Sequence, residues 1–217
     1  MFWRLLLAHL LGDYPLQPDR MVANKQSVWV QALHIAIHFT LMFALVGPVR
    51  SEVWPQLLLL ASIHLFLDRA KTALTKRWKE HAVLQYFVDQ ALHVISIFAV
   101  TIWIEGTVDP SLLPQDSTWA VYASGYLVVT YVWFITERVI AVENSTYLRE
   151  LDEQFWSRMI SRALMLTLIL IVGSGFEIAA LGLVLPIPYV SGTYRRRALV
   201  TDLLVAFVTA LVVLVAV

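Results

Sequence analysis

Residues 82–104 read AVLQYFVDQALHVISIFAVTIWI, and this stretch decides the fold. It exceeds the roughly 20 residues that a helix needs to cross a bilayer core. It contains no glycine or proline to interrupt the helix, and its one charged residue, Asp89, stands four positions before its one histidine, His93. Comparable stretches occupy residues 29–46, 54–74, 119–136 and 198–217. The composition agrees, with 59% hydrophobic residues, 15% charged residues and a mean hydropathy of +0.70, against about 45–50% apolar in soluble domains. The expected fold is all-α, a polytopic integral membrane helix bundle.

Two further segments bring the expected count to six or seven. Residues 2–12 are apolar but half the spanning length, and they run into Tyr14-Pro15, where the proline disfavours helix. His9, Asp13 and the lack of a small-x-small cleavage pattern argue against a signal peptide, so a short or re-entrant first helix is expected. Residues 160–184 are long enough to span, but Gly173-Ser174-Gly175 interrupts them and Glu177 follows, giving one kinked span or a hairpin. Arg69, Lys71, Lys76, Arg77 and Lys79 place the 69–80 connection in the cytoplasm, and residues 108–117, without a basic residue, lie outside. Arg138, Arg149, Arg158 and Arg162 mark the next cytoplasmic stretch, and Arg195, Arg196 and Arg197 join that side only if 160–184 turns back.

Net charge is zero, which gives no electrostatic case for nucleic acid, and the absence of cysteine excludes disulfides, thiolate metal sites and cysteine nucleophiles. The chemistry lies in four pairs spaced by four: His9 and Asp13, His34 and His38, His64 and Asp68, Asp89 and His93. Residues i and i+4 share a helix face, so each pair aims two ligand groups at one point. Four such histidine pairs would arise by chance about once in several hundred sequences of this composition, and aspartate in an apolar helix is costly. With neighbouring helices antiparallel, all four pairs fall at one depth, on the side of the 69–80 loop. Five imidazoles and three carboxylates exceed the needs of one tetrahedral ion and suit two divalent ions of Zn, Fe, Mn or Co. Residues 1–104 thus read as a metal-binding four-helix core and 105–217 as supporting helices of one compact domain.

Polar residues flank the pairs. Gln17, Asn24 and Lys25 follow the first segment, and Arg69 follows Asp68, where it could clamp a phosphate or carboxylate. Gln31 and Gln90 stand three residues before His34 and His93 and could support those imidazoles. His81 has no partner at four residues and reads as solvated, and Asp202 reads as an N-terminal helix charge. Asn144-Ser145-Thr146 matches a glycosylation pattern, but lies on the inferred cytoplasmic side.

The runs Leu7 to Gln17, Asn24-Lys25, His34 and His38, His64 to Lys71, and Asp89 to His93 resemble the bacterial membrane proteins grouped as domain of unknown function 3307, over about residues 5–95. The resemblance implies a polytopic bacterial membrane protein and confers no established activity; the expected location is the bacterial inner (cytoplasmic) membrane. A fainter likeness is to membrane-bound proteins described as metal-dependent hydrolases. The functional expectation is a membrane-embedded, metal-dependent hydrolase with its site near the cytoplasmic face. The eight paired residues are its ligands, Asp13 or Asp89 is a general base, and Arg69, Lys25 and Gln17 are substrate contacts. Its partners would be membrane lipids and an amphiphilic ester, amide or phosphoester substrate. The competing expectations are a di-iron-type hydroxylase or desaturase, although no His-x-x-His-His box occurs, and a metal-ion transporter or sensor.

Overall fold

The computed structural model describes residues 1–78, 81–172 and 196–217. The glycine interruption at 173–175, Glu177, Arg195 and the choice between span and hairpin for 160–184 lie outside the described residues, as does Lys79. Every regular element described is helical. In order these are α1 (Phe2–Asp13), α2 (Asp19–Ala23), α3 (Val28–Leu45), α4 (Arg50–Arg77), α5 (Ala82–Thr107), α6 (Thr118–Leu127), α7 (Trp133–Ile140), α8 (Ser145–Glu153), α9 (Phe155–Val172) and α10 (Arg196–Ala216). A π-helical turn, Val128–Val132, joins α6 to α7, so that Thr118–Ile140 runs as one helix.

Among the described residues, four helical stretches are long and apolar enough to cross a membrane: Val28–Leu45, Ala82–Thr107, Thr118–Ile140 and Ala198–Ala216. The 54–74 segment lies within α4. Gln56, His64, Asp68, Arg69 and Lys71 dilute its apolar character, and it is not among the four. Helix α1 stops at Asp13, before Tyr14-Pro15, as the proline predicts. Its 12 residues rise about 18 Å, short of the ~30 Å hydrocarbon core.

Contacts divide the chain into two compact units, Met1–Ala120 and Val121–Val217. In the first, α1 packs against α3 and α5, and α4 packs against α3 and α5. Leu5, Ala8, Met42, Val46, Val53, Leu57, Leu60, Ile97, Val100 and Ile104 form its core. This core explains the placement of the polar pairs. On α3 the buried stripe reads His34, His38, Met42, and Val46 continues it past the helix end. On α4 it reads Val53, Leu57, Leu60, Ala61, His64, Asp68, and on α5 Asp89, His93, Ile97, Val100, Ile104. Each stripe keeps helical spacing throughout and changes from aliphatic at one end to His and Asp at the other. Because adjacent helices are antiparallel, the aliphatic ends meet one another, and so do the polar ends.

At the aliphatic end the Arg4 guanidinium donates to the Leu45 and Asp116 carbonyls at 3.0 and 2.6 Å. In the connection after α5, the Asp109 and Asp116 carboxylates accept the backbone N–H groups of Ser111 and Thr118. These bonds hold both carboxyls below the usual carboxylate range. Their stabilisation is therefore present at neutral pH and is lost as the pH falls through those depressed values.

The second unit corrects two expectations. Arg158 and Arg162, read as loop charges, are buried on α9, and Asp202, read as a helix-end charge, is buried on α10. With buried Glu137 of α7 they form a four-charge box. Arg158 Nη2 lies 2.8 Å from Glu137 Oε1 and 2.6 Å from Asp202 Oδ1, and Arg162 Nη1 lies 3.1 Å from Glu137 Oε2. Asp202 stands too far along α10 for its helix end to satisfy it, so a guanidinium across the helix interface does so. Asn144 of the glycosylation pattern caps α8, accepting the Tyr147 N–H at 3.0 Å. Above the box, a Cβ on Gly125 would lie 2.8 Å from Val213, so α6 approaches α10 too closely for a larger residue.

Candidate metal centre

The four polar stripe ends bring all eight paired residues into one cluster. Asp13 is its hub: Oδ1 lies 3.2 Å from His34 Nε2, 3.1 Å from His38 Nε2 and 3.5 Å from His64 Nε2, and Oδ2 lies 3.7 Å from His9 Nε2. His34 Nε2 and His64 Nε2 are 3.1 Å apart. Every one of these imidazoles is buried.

Hydrogen bonding alone does not account for this geometry. A carboxylate oxygen has two lone pairs, whereas three ring nitrogens crowd Asp13 Oδ1. Two facing ring nitrogens at 3.1 Å share at most one proton. The separations instead match the edge of a coordination tetrahedron: ligands at 2.0–2.1 Å from an ion stand about 3.3 Å from one another. One ligand atom each from His9, Asp13, His38 and His64 lies within 4.8 Å of the others, and the same holds for His34, His64 and Asp68, and for Asp68, Asp89 and His93. His64 and Asp68 each belong to two of these groups, so the three groups are continuous.

Helix α5 fixes the orientation of its histidine. His93 Nδ1–H donates to the Asp89 backbone carbonyl at 2.8 Å, which leaves the lone pair on Nε2, and a carbonyl in this position commonly orients a ligating histidine. Among the described residues, His93 Nε2, His9 Nε2 and Asp89 Oδ1 are buried with no hydrogen-bond partner, a costly state for polar atoms.

The flanking residues take distinct places. Lys25 Nζ donates to Asp68 Oδ2 at 3.1 Å, and the Gln17 amide nitrogen lies 3.2 and 3.1 Å from the two ring nitrogens of His34. Arg69 is exposed and donates from Nε to Gln31 Oε1 at 2.7 Å; one residue beyond Asp68, it is turned about 100° around α4 from the ligand face. Gln31 donates to the Lys25 carbonyl, and Gln90 links the Tyr14 hydroxyl to Asp89 Oδ2, so both brace the rim rather than the histidine three residues on. His81 is exposed.

Sequence reasoning gave no site role to three contributors, a lysine, a tyrosine pair and a glycine. Lys71 Nζ donates to Asp89 Oδ2 at 2.7 Å and stands 5.5 Å from the centre of the Tyr86 ring. Its signal was position, since Lys71 is three residues past Asp68 and on the same helix face. The Tyr14 and Tyr86 hydroxyls lie 3.0 Å apart beside Gln90. Gly12 is the third, because a Cβ there would lie 2.5 Å from His38 Cε1 and Nε2. Gly12→Ala should therefore push His38 off Asp13 and, if the cluster holds metal, lower its affinity by at least about tenfold, measured by elemental analysis after dialysis against a metal buffer. Wild-type metal retention in a helical Gly12→Ala protein would contradict the tight approach of α1 and α3.

No curated protein and no solved structure matches the chain. A family model does, and it covers residues 1–119, which is nearly the whole of the first compact unit and all eight clustered residues. On that match the chain belongs to the family described as protein of unknown function DUF3307.

Proposed function

We propose that this protein is a membrane-embedded, metal-dependent hydrolase of the bacterial inner membrane, with six to seven membrane segments and a dinuclear His/Asp centre near the cytoplasmic face. Residues 1–104 carry the chemistry and 105–217 support it. The observation that carries the reading is the convergence of four imidazole nitrogens on the Asp13 carboxylate at 3.1–3.7 Å, continuous with Asp68, Asp89 and His93. A nitrogen and oxygen donor set without thiolate suits Zn, Fe, Mn or Co. Bound there, such ions would supply Lewis acidity and a water of lowered pKa.

The protein's own residues then divide the work. His9, His34, His38, His64 and His93 with Asp13 and Asp68 would hold the ions, and Asp89, whose Oδ1 has no hydrogen-bond partner among the described residues, can take a proton as general base. Lys25 and Gln17 face the substrate, with Arg69 at the rim. The substrate is a lipid or other amphiphile with an ester, amide or phosphoester at headgroup depth. Transport across the bundle is disfavoured by the stripe ends beyond the histidines, which are filled by Met42, Val46, Val53, Leu57, Ile97, Val100 and Ile104.

The test is incubation of the purified, metal-loaded protein with bacterial lipid extract, followed by mass spectrometry. The expected result is a hydrolysis product that disappears on chelation and in His38→Ala and Asp68→Ala proteins, with rates down at least about 1,000-fold. A metal-replete protein that produces only oxygenated or desaturated lipid would replace the hydrolase reading with the oxidoreductase one.

A further inference from the structure

The two lysines at the rim carry the argument beyond the metal ions. Lys25 Nζ and Lys71 Nζ, from different segments, each reach a carboxylate of the Asp68, Asp89 and His93 group, whose ligand atoms lie within 4.8 Å of one another. Asp68 and Asp89 are buried, and the two lysine side chains are only 22% and 31% exposed. Lys25 is further fixed by the bond from Gln31 to its carbonyl, and Lys71 by the Tyr86 ring.

Charge decides what these ammonium groups do when ions are bound. With neutral imidazoles, the three carboxylates and two lysines leave a single negative charge. Two divalent cations turn this into three positive charges in a largely buried site, and they also draw the carboxylates away from the lysines. Such an excess is expensive to bury, and an anion offsets it. A monoanion offsets one third, whereas a phosphate monoester dianion offsets most of it. Its several oxygens can also meet two ammonium groups and two ions at once.

We propose, resting on the metal reading above, that the loaded site binds a phosphate monoester group between Lys25 and Lys71, so that these residues rather than Arg69 set the substrate class. Arg69 points to Gln31 on the exposed side of α4. The same phosphate chemistry is offered by a free phosphate compound and by a lipid headgroup of the phosphatidic acid type.

The experiment uses the full chain in phosphatidylcholine nanodiscs, loaded with Co(II), with metal content fixed by elemental analysis. Paramagnetic relaxation of phosphorus-31 is followed for added inorganic phosphate and, in separate discs, for the headgroup of phosphatidic acid. Saturable relaxation that vanishes on chelation, and that acetate displaces only weakly, is expected. Enhancement in the phosphatidic acid discs that inorganic phosphate competes away assigns a lipid headgroup, and enhancement with inorganic phosphate alone assigns a soluble source. Lys25→Met and Lys71→Met should each weaken phosphate binding about tenfold, with metal content retained, and Lys25→Arg and Lys71→Arg should restore it. Metal uptake without phosphate relaxation, acetate binding as tight as phosphate, or a Lys25→Met/Lys71→Met protein with full metal and undiminished phosphate affinity would overturn this proposal alone. Failure of the wild-type protein to take up metal would overturn it together with the metal centre.

Discussion

On the proposed dinuclear centre, purified His64→Ala protein will retain less than about a tenth of the wild-type metal content, with the loss spread over both ions. His64 belongs both to the group with His9, Asp13 and His38 and to the group with His34 and Asp68. Its ring centre lies 4.0 Å from that of His38, 4.3 Å from His93, 5.2 Å from His34 and 5.4 Å from His9. Loss of a residue that merely orients a ligand costs 10–100-fold in affinity, so removing a histidine that offers one ion its single lone pair and packs against the histidines of the other should cost at least about 100-fold for the first ion and about tenfold for the second. His9→Ala, which enters only one group, should remove one ion and spare the other. His81→Ala, on the exposed segment before α5, should keep both.

Stability gives an independent reading of the same experiment. Bound ions stabilise the native state by mass action, about 4 kcal/mol at a thousandfold excess over Kd. Chelation should therefore lower the thermal midpoint of the wild-type protein and leave that of His64→Ala where it already is. A folded His64→Ala protein with wild-type metal content would remove His64 from the ligand set, and a wild-type protein whose midpoint ignores chelation would remove the metal.

The polar stripe ends were legible because two sequence signals coincide in them. The spacing of four survives in any helix, and an aspartate among Leu, Ile and Val announces itself by its cost. Lys71 obeys the same rule at three residues from Asp68, yet it was read with the basic loop because it stands where the apolar stretch gives out. Arg69 attracted attention through adjacency, which on a helix means a different face. The charge box was hidden for another reason. Its members come from α7, α9 and α10, no two opposite charges are close in sequence, and Arg158 and Arg162 share the face rule with each other as like charges. A repeated arginine at spacing four on an apolar helix was the available signal, since two buried guanidinium groups on one face require carboxylates from elsewhere. The spanning count was the least legible part. Helix α4 has the length to cross a bilayer, but its ligands and lysines are the same residues that lower its apolar character.

Arg158→Met should destabilise the second unit by about 3–5 kcal/mol, the range for removing one partner of a buried ion pair. Arg158 donates from Nη2 to Glu137 at 2.8 Å and to Asp202 at 2.6 Å, and from Nε to Asp202 at 3.2 Å, with all three side chains buried. Without it, two carboxylates face Arg162 alone, whose Nη1 lies 3.1 Å from Glu137 and 3.6 Å from Asp202. Methionine fills much of the lost volume, so the penalty comes from uncompensated charge more than from a cavity. Arg158→Met/Asp202→Leu restores neutrality with the Glu137–Arg162 pair and should recover at least about 2 kcal/mol of the loss. Unfolding of the detergent-solubilised protein, followed by the fluorescence of Trp133 and Trp156 in backgrounds lacking the other tryptophans, measures both. A single substitution costing under about 1 kcal/mol, or a double no better than the single, would mean that water or the lipid interface already screens these charges. The box would then contribute specificity of helix pairing rather than stability. Buried ion pairs are weak sources of net stability and strong penalties when halved, so the sign of the double-variant recovery separates these two roles.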